Sequence, residues 1–275
     1  MIMGEKGSNF MVRVLTAAAM IVVVAACLIL SPYSFLAITL VVCAGAMHEF
    51  FGLAAHKGGR PLKWYPVIIG MAAISLTFLI AMGWIGKSWL AVLIPLLSAV
   101  FVAELYRKQE DPLSNISTAL SGLIYVAAPL CLLCALAFRG GSYSPWLTLC
   151  IIGIVAVNDT FAYITGILIG RHKIFERISP KKSWEGFFGG LIFAVAAAVL
   201  FGHLMGGNLI FWGGLGLIIV AGAVFGDFIE SMLKRSAGVK DSGSILPGHG
   251  GFLDRIDSLL FTVPLVYAYF SIFAI

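Results

Sequence analysis

The sequence predicts an all-α integral membrane protein of about nine transmembrane helices, N-terminus cytoplasmic and C-terminus outside, and three observations carry that prediction. First, 60% of the residues are hydrophobic and 11% charged, with mean hydropathy +1.02, whereas soluble domains average about 45–50% apolar and about 25% charged. Second, apolar runs long enough to cross a bilayer recur at about 10–31, 34–54, 64–84, 88–106, 116–138, 145–169, 184–206, 209–232 and 258–275. Third, the basic residues alternate with these runs. The N-terminus and the links after runs two, four, six and eight hold 16 of the 18 Lys and Arg residues, and the remaining links hold only Lys87 and Arg139. The positive-inside rule assigns the basic side to the cytoplasm, and one span more or fewer would scatter the charges over both faces.

The first run follows Lys6 and Arg13 and so resembles a signal peptide, but no small-residue cleavage site precedes a soluble domain, and a retained span is expected. Residues 1–110 read as N-terminal transmembrane helices, 111–145 as a middle helix, and 146–275 as C-terminal helices that carry most of the charged residues and a cytoplasmic loop. A net charge of +5 does not indicate nucleic acid, because the cations lie between apolar runs and not on one solvated face. Cys131 and Cys134 form a CxxC without His or carboxylate partners, so all five cysteines are expected to pack as small apolar groups.

An ionisable side chain at bilayer depth costs about 2.5–3.5 kcal/mol even on the lenient insertion scale, so each needs a partner or a task. Glu49 and Glu104, late in their runs, are expected near the membrane interface. Asn158 and Asp159 fall mid-run, with Asp159, Tyr163 and Gly166 on one helical face and the glycine leaving room for a neighbouring backbone. Asp227 and Glu230 fall near the end of the eighth run, and Asp227, Ser231 and Lys234 share a face at i, i+4, i+7. Ser179-Pro180 is expected to open a helix, placing Lys181 and Lys182 at its positive end. Downstream, PGHGGFLDRID combines glycines able to turn amides towards an anion with Asp254 and Asp257 at i, i+3.

Carboxylates, cations and a glycine turn together suit phosphoryl or nucleotidyl transfer, in which positioning and charge neutralisation do most of the work. Neither a Ser-His-Asp nor a Cys-His arrangement can be read, and GxxxxGK[ST] and EF-hand spacings are absent. A secondary transporter would need corresponding broken helices in two repeated halves, and none is evident.

The segment SMLKRSAGVKDSGSILPGHGGFLDRID, residues 231–257, resembles the signature of the phosphatidate cytidylyltransferases, and ND..AY..G...GRHK....SPKKSWEG, residues 158–186, resembles that family's second motif. The resemblance implies that CTP and phosphatidic acid give CDP-diacylglycerol and pyrophosphate with Mg²⁺, one or two ions, a second cation being possible. It further implies metal ligation by Asp227, Asp254, Asp257 and Asp159, and catalytic roles for Ser231, Lys234, His249, Asp254 and Asp257. Substrate binding would fall to Lys181, Lys182, Arg235, Lys240, Arg255, Gly250 and Gly251. A homodimer surrounded by membrane lipid is expected on the same ground, a bacterial inner membrane is expected from a short chain without a transit peptide, and the placement of the basic residues turns the site to the cytoplasm. The rival enzyme is a CTP-dependent lipid-alcohol kinase. Phe161 and Ile167 depart from the pattern of many bacterial members, which carry a Gly and a basic residue there.

Overall fold

The computed structural model describes residues 16, 18–56, 59–243, 245 and 250–273. It is helical nearly throughout. Eight described helices are long and apolar enough to cross a membrane: α2 (Pro32–Ala55), α3 (Trp64–Ala81), α4 (Lys87–Arg107, opening with a 3₁₀ stretch), α5 (Pro112–Ala137), α6 (Trp146–Ile169), α7 (Trp184–Leu204), α8 (Leu209–Ser236) and α9 (Leu253–Phe273). A shorter apolar helix, α1 (Ala18–Leu30), precedes them, and the start of the first predicted run lies outside the described residues.

Local chemistry sets the helix starts. Ser31 caps α2, its Oγ accepting from Tyr33 N at 3.0 Å with Pro32 in the first turn, and Asp111 caps α5 in the same way through Ser114 N at 3.1 Å. Asn208 Oδ1 accepts from Ile210 N and Phe211 N at the start of α8. Within α5, residues Leu123–Ala127 form a π-helical turn just before Pro129, whose missing N–H and ring would otherwise disrupt the regular ladder.

The helix expected to open at Ser179-Pro180 does not. Ser179–Ser183 is instead strand β2, antiparallel to β1 (Lys173–Phe175), and α7 opens at Trp184 with Ser183 as its cap, Oγ accepting from Gly186 N at 3.2 Å. The apolar run begins only at Trp184, so the cap is the serine directly before it. Polar ends also lengthen two helices beyond their apolar runs: α8 continues to Ser236 and α9 begins at Leu253.

The chain forms two compact units, one within Met1–Pro145 and Ser236–Ile256, the other within Trp146–Arg235 and Asp257–Ile275. In the first, α2, α3 and α5 pack around fully buried Phe35, Met47, Phe51, Ile74 and Phe78. Gly70 lets α3 approach α2 and α5, since a Cβ there would lie 2.9 Å from Met47 Sδ and 3.0 Å from Ala127 Cβ. In the second, α6 and α7 pack along most of their lengths, with Gly186 against Ala162 and Gly166, and Gly190 against Asn158. The close approach expected at Gly166 is therefore made, and Phe161 stacks on Phe193 at 3.7 Å between centroids.

Candidate functional site

In the second unit, two glycines of α8 bring it against α9. A Cβ on Gly222 would lie 2.6 Å from Thr262 Cα, and one on Gly226 would lie 2.6 Å from Asp257 O and 2.9 Å from Ser258 Cα. Backbones can meet this closely only where side chains are missing. The crossing at Gly226 puts the next residue, Asp227, beside Asp257. Oxygens of Asp227, Glu230 and Asp257 lie within 4.8 Å of one another.

Cations answer these acids. Lys182, projecting from β2, pairs with Asp227 and stands 4.5 Å from the centre of the Phe228 ring, and Lys234 pairs with Glu230 one turn along α8. The hairpin is also held against α8 by an edge contact of Phe175 with Phe228, centroids 5.1 Å apart. Ser231 Oγ donates to Asp227 Oδ1 at 3.2 Å, as the i, i+4 spacing requires. Asp159 accepts from Asn158 Nδ2 at 3.2 Å and lies within electrostatic reach of Lys182, Asp227 and Asp257. Thus Asp159, Asp227, Asp257, Lys182, Lys234 and Ser231 come together. Glu230, fully buried, joins them without having been singled out as a ligand, although its place one turn after Asp227 is a signal for it.

Four carboxylates against two ammonium groups leave the cluster formally negative, and its donors are all hard oxygens. That set fits Mg²⁺ better than a soft or nitrogen-seeking metal.

In the first unit, Asp254 Oδ2 accepts from Ser242 N at 3.0 Å, Ser242 Oγ at 2.9 Å and Gly251 N at 2.9 Å. Glu49 of α2, 5% exposed, accepts from Phe252 N at 3.0 Å, Leu253 N at 2.8 Å and Ser242 Oγ at 3.1 Å. Gly250 takes φ +78°, the left-handed turn that favours glycine, and Gly251 is buried against the Glu49 carboxylate. Glu104 is buried too, paired with Arg107 Nη1 at 2.7 Å and Asn115 Nδ2 at 2.6 Å. The two glutamates late in their apolar runs are therefore partnered inside the protein.

Lys181, Arg235, Lys240 and Arg255 are exposed, and His249 lies outside the described residues.

The sequence matches the cytidylyltransferase family over residues 11–273. It is 38% identical over 209 residues to the phosphatidate cytidylyltransferase of Haemophilus influenzae, covering 74% of this chain and 70% of that one. It is 47% identical over 119 residues to phosphatidate cytidylyltransferase 5, chloroplastic, of Arabidopsis thaliana, and 47% identical over 116 residues to the phosphatidate cytidylyltransferase of Staphylococcus haemolyticus. These two matches span 42% and 41% of this chain but only 29% and 44% of the relatives' lengths. A glycine-set crossing that gathers carboxylates and lysines, in a chain matched almost end to end, makes this protein a member of the cytidylyltransferase family.

Proposed function

We propose that the protein transfers CMP from CTP to phosphatidic acid, giving CDP-diacylglycerol and pyrophosphate for membrane phospholipid synthesis. The observation that carries this is the carboxylate–lysine cluster of Asp159, Asp227, Glu230, Asp257, Lys182 and Lys234 in a chain of this family. A phosphatidate oxygen is already anionic near neutral pH and attacks the α-phosphorus of CTP directly. The new P–O bond forms as the bond from the α-phosphorus to the bridging oxygen breaks, and the electron pair leaves with pyrophosphate. No strong protein base is needed.

Asp227, Glu230 and Asp257 would hold Mg²⁺, with Asp159 nearby, and Asp254 keeps the ligand role that the resemblance implies. When bound, the ion neutralises charge on the phosphate oxygens. Lys234 and Lys182 exchange their carboxylate partners for phosphate oxygens as substrate enters. Lys181, Arg235, Lys240 and Arg255, being exposed, supply the wider positive field that draws CTP and the anionic lipid. Nine spans with the N-terminus and the signature segment on the cytoplasmic side, supported by the distribution of basic residues, complete the proposal, together with a homodimer in a bacterial inner membrane, for which the family resemblance is the support.

The test is purified protein with Mg²⁺, phosphatidic acid and CTP labelled at the α- or γ-phosphate. Label from the α-phosphate is expected in lipid, with pyrophosphate released, and Asp254→Asn is expected to abolish turnover while still inserting into membranes. Label entering lipid from the γ-phosphate alone would make the protein a lipid-alcohol kinase.

A further inference from the structure

Glu49 has no place in the chemistry above, yet both of its oxygens are engaged by the signature segment. It lies in α2, about 200 residues before the atoms it binds (sequence separations 193, 203 and 204). One of its oxygens accepts from Phe252 N, and the other accepts from Leu253 N and Ser242 Oγ. These are the amides entering the first turn of α9, the positive end of a helix, where a carboxylate is favoured. Two glycines make room for it: a Cβ on Gly243 would lie 2.5 Å from Oε1 and 2.8 Å from Cδ, and one on Gly251 would collide with the same carboxylate. Ser242 Oγ is within hydrogen-bond distance of both Glu49 Oε2 and Asp254 Oδ2, so a single hydroxyl proton serves two carboxylates.

We infer that Glu49 is a positioning residue for cytidylyl transfer: it fastens the signature segment at Ser242 and 251–253 to α2 and thereby sets the orientation of Asp254. This rests on the function proposed above. Both Glu49 oxygens must accept, because each faces an N–H. A glutamine would turn its amide NH₂ towards one of these donors, so the uncharged isostere does not substitute, whereas aspartate keeps both acceptors on a shorter arm. Glu104 provides the comparison. It is equally buried and lies in the same compact unit, but it ties α4 to α5 through Arg107 and Asn115.

The experiment uses the full-length protein and its Glu49→Gln, Glu49→Asp, Gly243→Ala and Glu104→Gln variants. Pyrophosphate release gives kcat and KM for CTP, and amide hydrogen exchange is followed in peptides covering 250–254. Glu49→Gln is expected to lower kcat roughly 10- to 100-fold, the loss that goes with a charged hydrogen bond, and to speed exchange in that peptide but not in α6 or α7. Glu49→Asp should recover part of kcat, and Gly243→Ala, which presses on the carboxylate from the other side, should reproduce both effects if Glu49→Gln does not fold. Glu104→Gln should lower thermal stability and leave kcat within about twofold, since it changes no signature contact. Wild-type kcat and exchange in Glu49→Gln, or in Gly243→Ala if the first is unfolded, overturn the inference. An inactive unaltered protein instead overturns the proposed function, while the exchange measurements still decide whether Glu49 fastens the segment.

Discussion

Two carboxylate clusters, one in each compact unit, are built on opposite principles. Around Glu49 and Asp254 the acceptors meet backbone amides and one serine, partners that cannot leave without unfolding the segment. Around Asp227, Glu230 and Asp257 the acids meet one another and the tips of two lysines, partners on flexible stems. The first arrangement holds a shape. The second stores like charge at close range; its acids can trade a lysine for a metal cation while its lysines trade an acid for a phosphate, as the proposed transfer requires. The acids of one membrane protein thus divide by the kind of partner, fixed dipole or movable charge, since each cluster holds one buried glutamate beside half-buried aspartates.

The comparison can be broken most sharply at Asp227. Asp227→Asn keeps the shape but removes the charge shared with Lys182 and Asp257, and is expected to lower turnover by at least about 10²–10³-fold, as removing one electrostatic stabiliser of a transferring group does. Activity that survives, with an unchanged response to added Mg²⁺, would remove Asp227 from the cluster's chemistry. Gly226→Ala should come next. Its methyl must displace the α9 backbone at Asp257, so a loss of about 1–3 kcal/mol in stability and a weaker apparent affinity for Mg²⁺ are expected from thermal unfolding and metal titration.

Smaller effects test the periphery. Lys182→Ala should raise KM for CTP more than Lys181→Ala, because Lys182 is engaged with Asp227 and Phe228 whereas Lys181 is exposed; equal effects would reduce both to a general surface field. Ser183→Ala removes the α7 cap and is expected to cost about 1 kcal/mol, seen as a lower midpoint with kcat nearly unchanged.

Much of this was legible in the residues. Eight of the nine apolar runs are helices in the described residues that can span a bilayer, because an apolar run in lipid has few alternatives to satisfying its backbone internally. The spacing of Asp227, Ser231 and Lys234 on one face also holds, since α8 continues through Ser236. The β-hairpin was not legible: ISPKKSWEG offers a Ser-Pro helix start, and only pairing with Lys173–Phe175 decides for a strand. Glu49 was not legible either, because an acid late in an apolar run looks the same whether it meets headgroups or the amides of a segment some 200 residues away.

The sequence by itself determined the membrane class and the family, and set out the acids, cations and glycines of the motifs, because hydropathy, charge placement and contiguous motifs are one-dimensional properties. Only the tertiary structure decided which of those residues act together. Glu230 joins Asp227 and Asp257 because Gly226 admits the α9 backbone, and Asp254 turns to Ser242 and Gly251 beside Glu49 because two glycines leave room for that carboxylate. Such partnerships depend on close backbone approach between segments far apart in the chain, and local residue spacing does not record it.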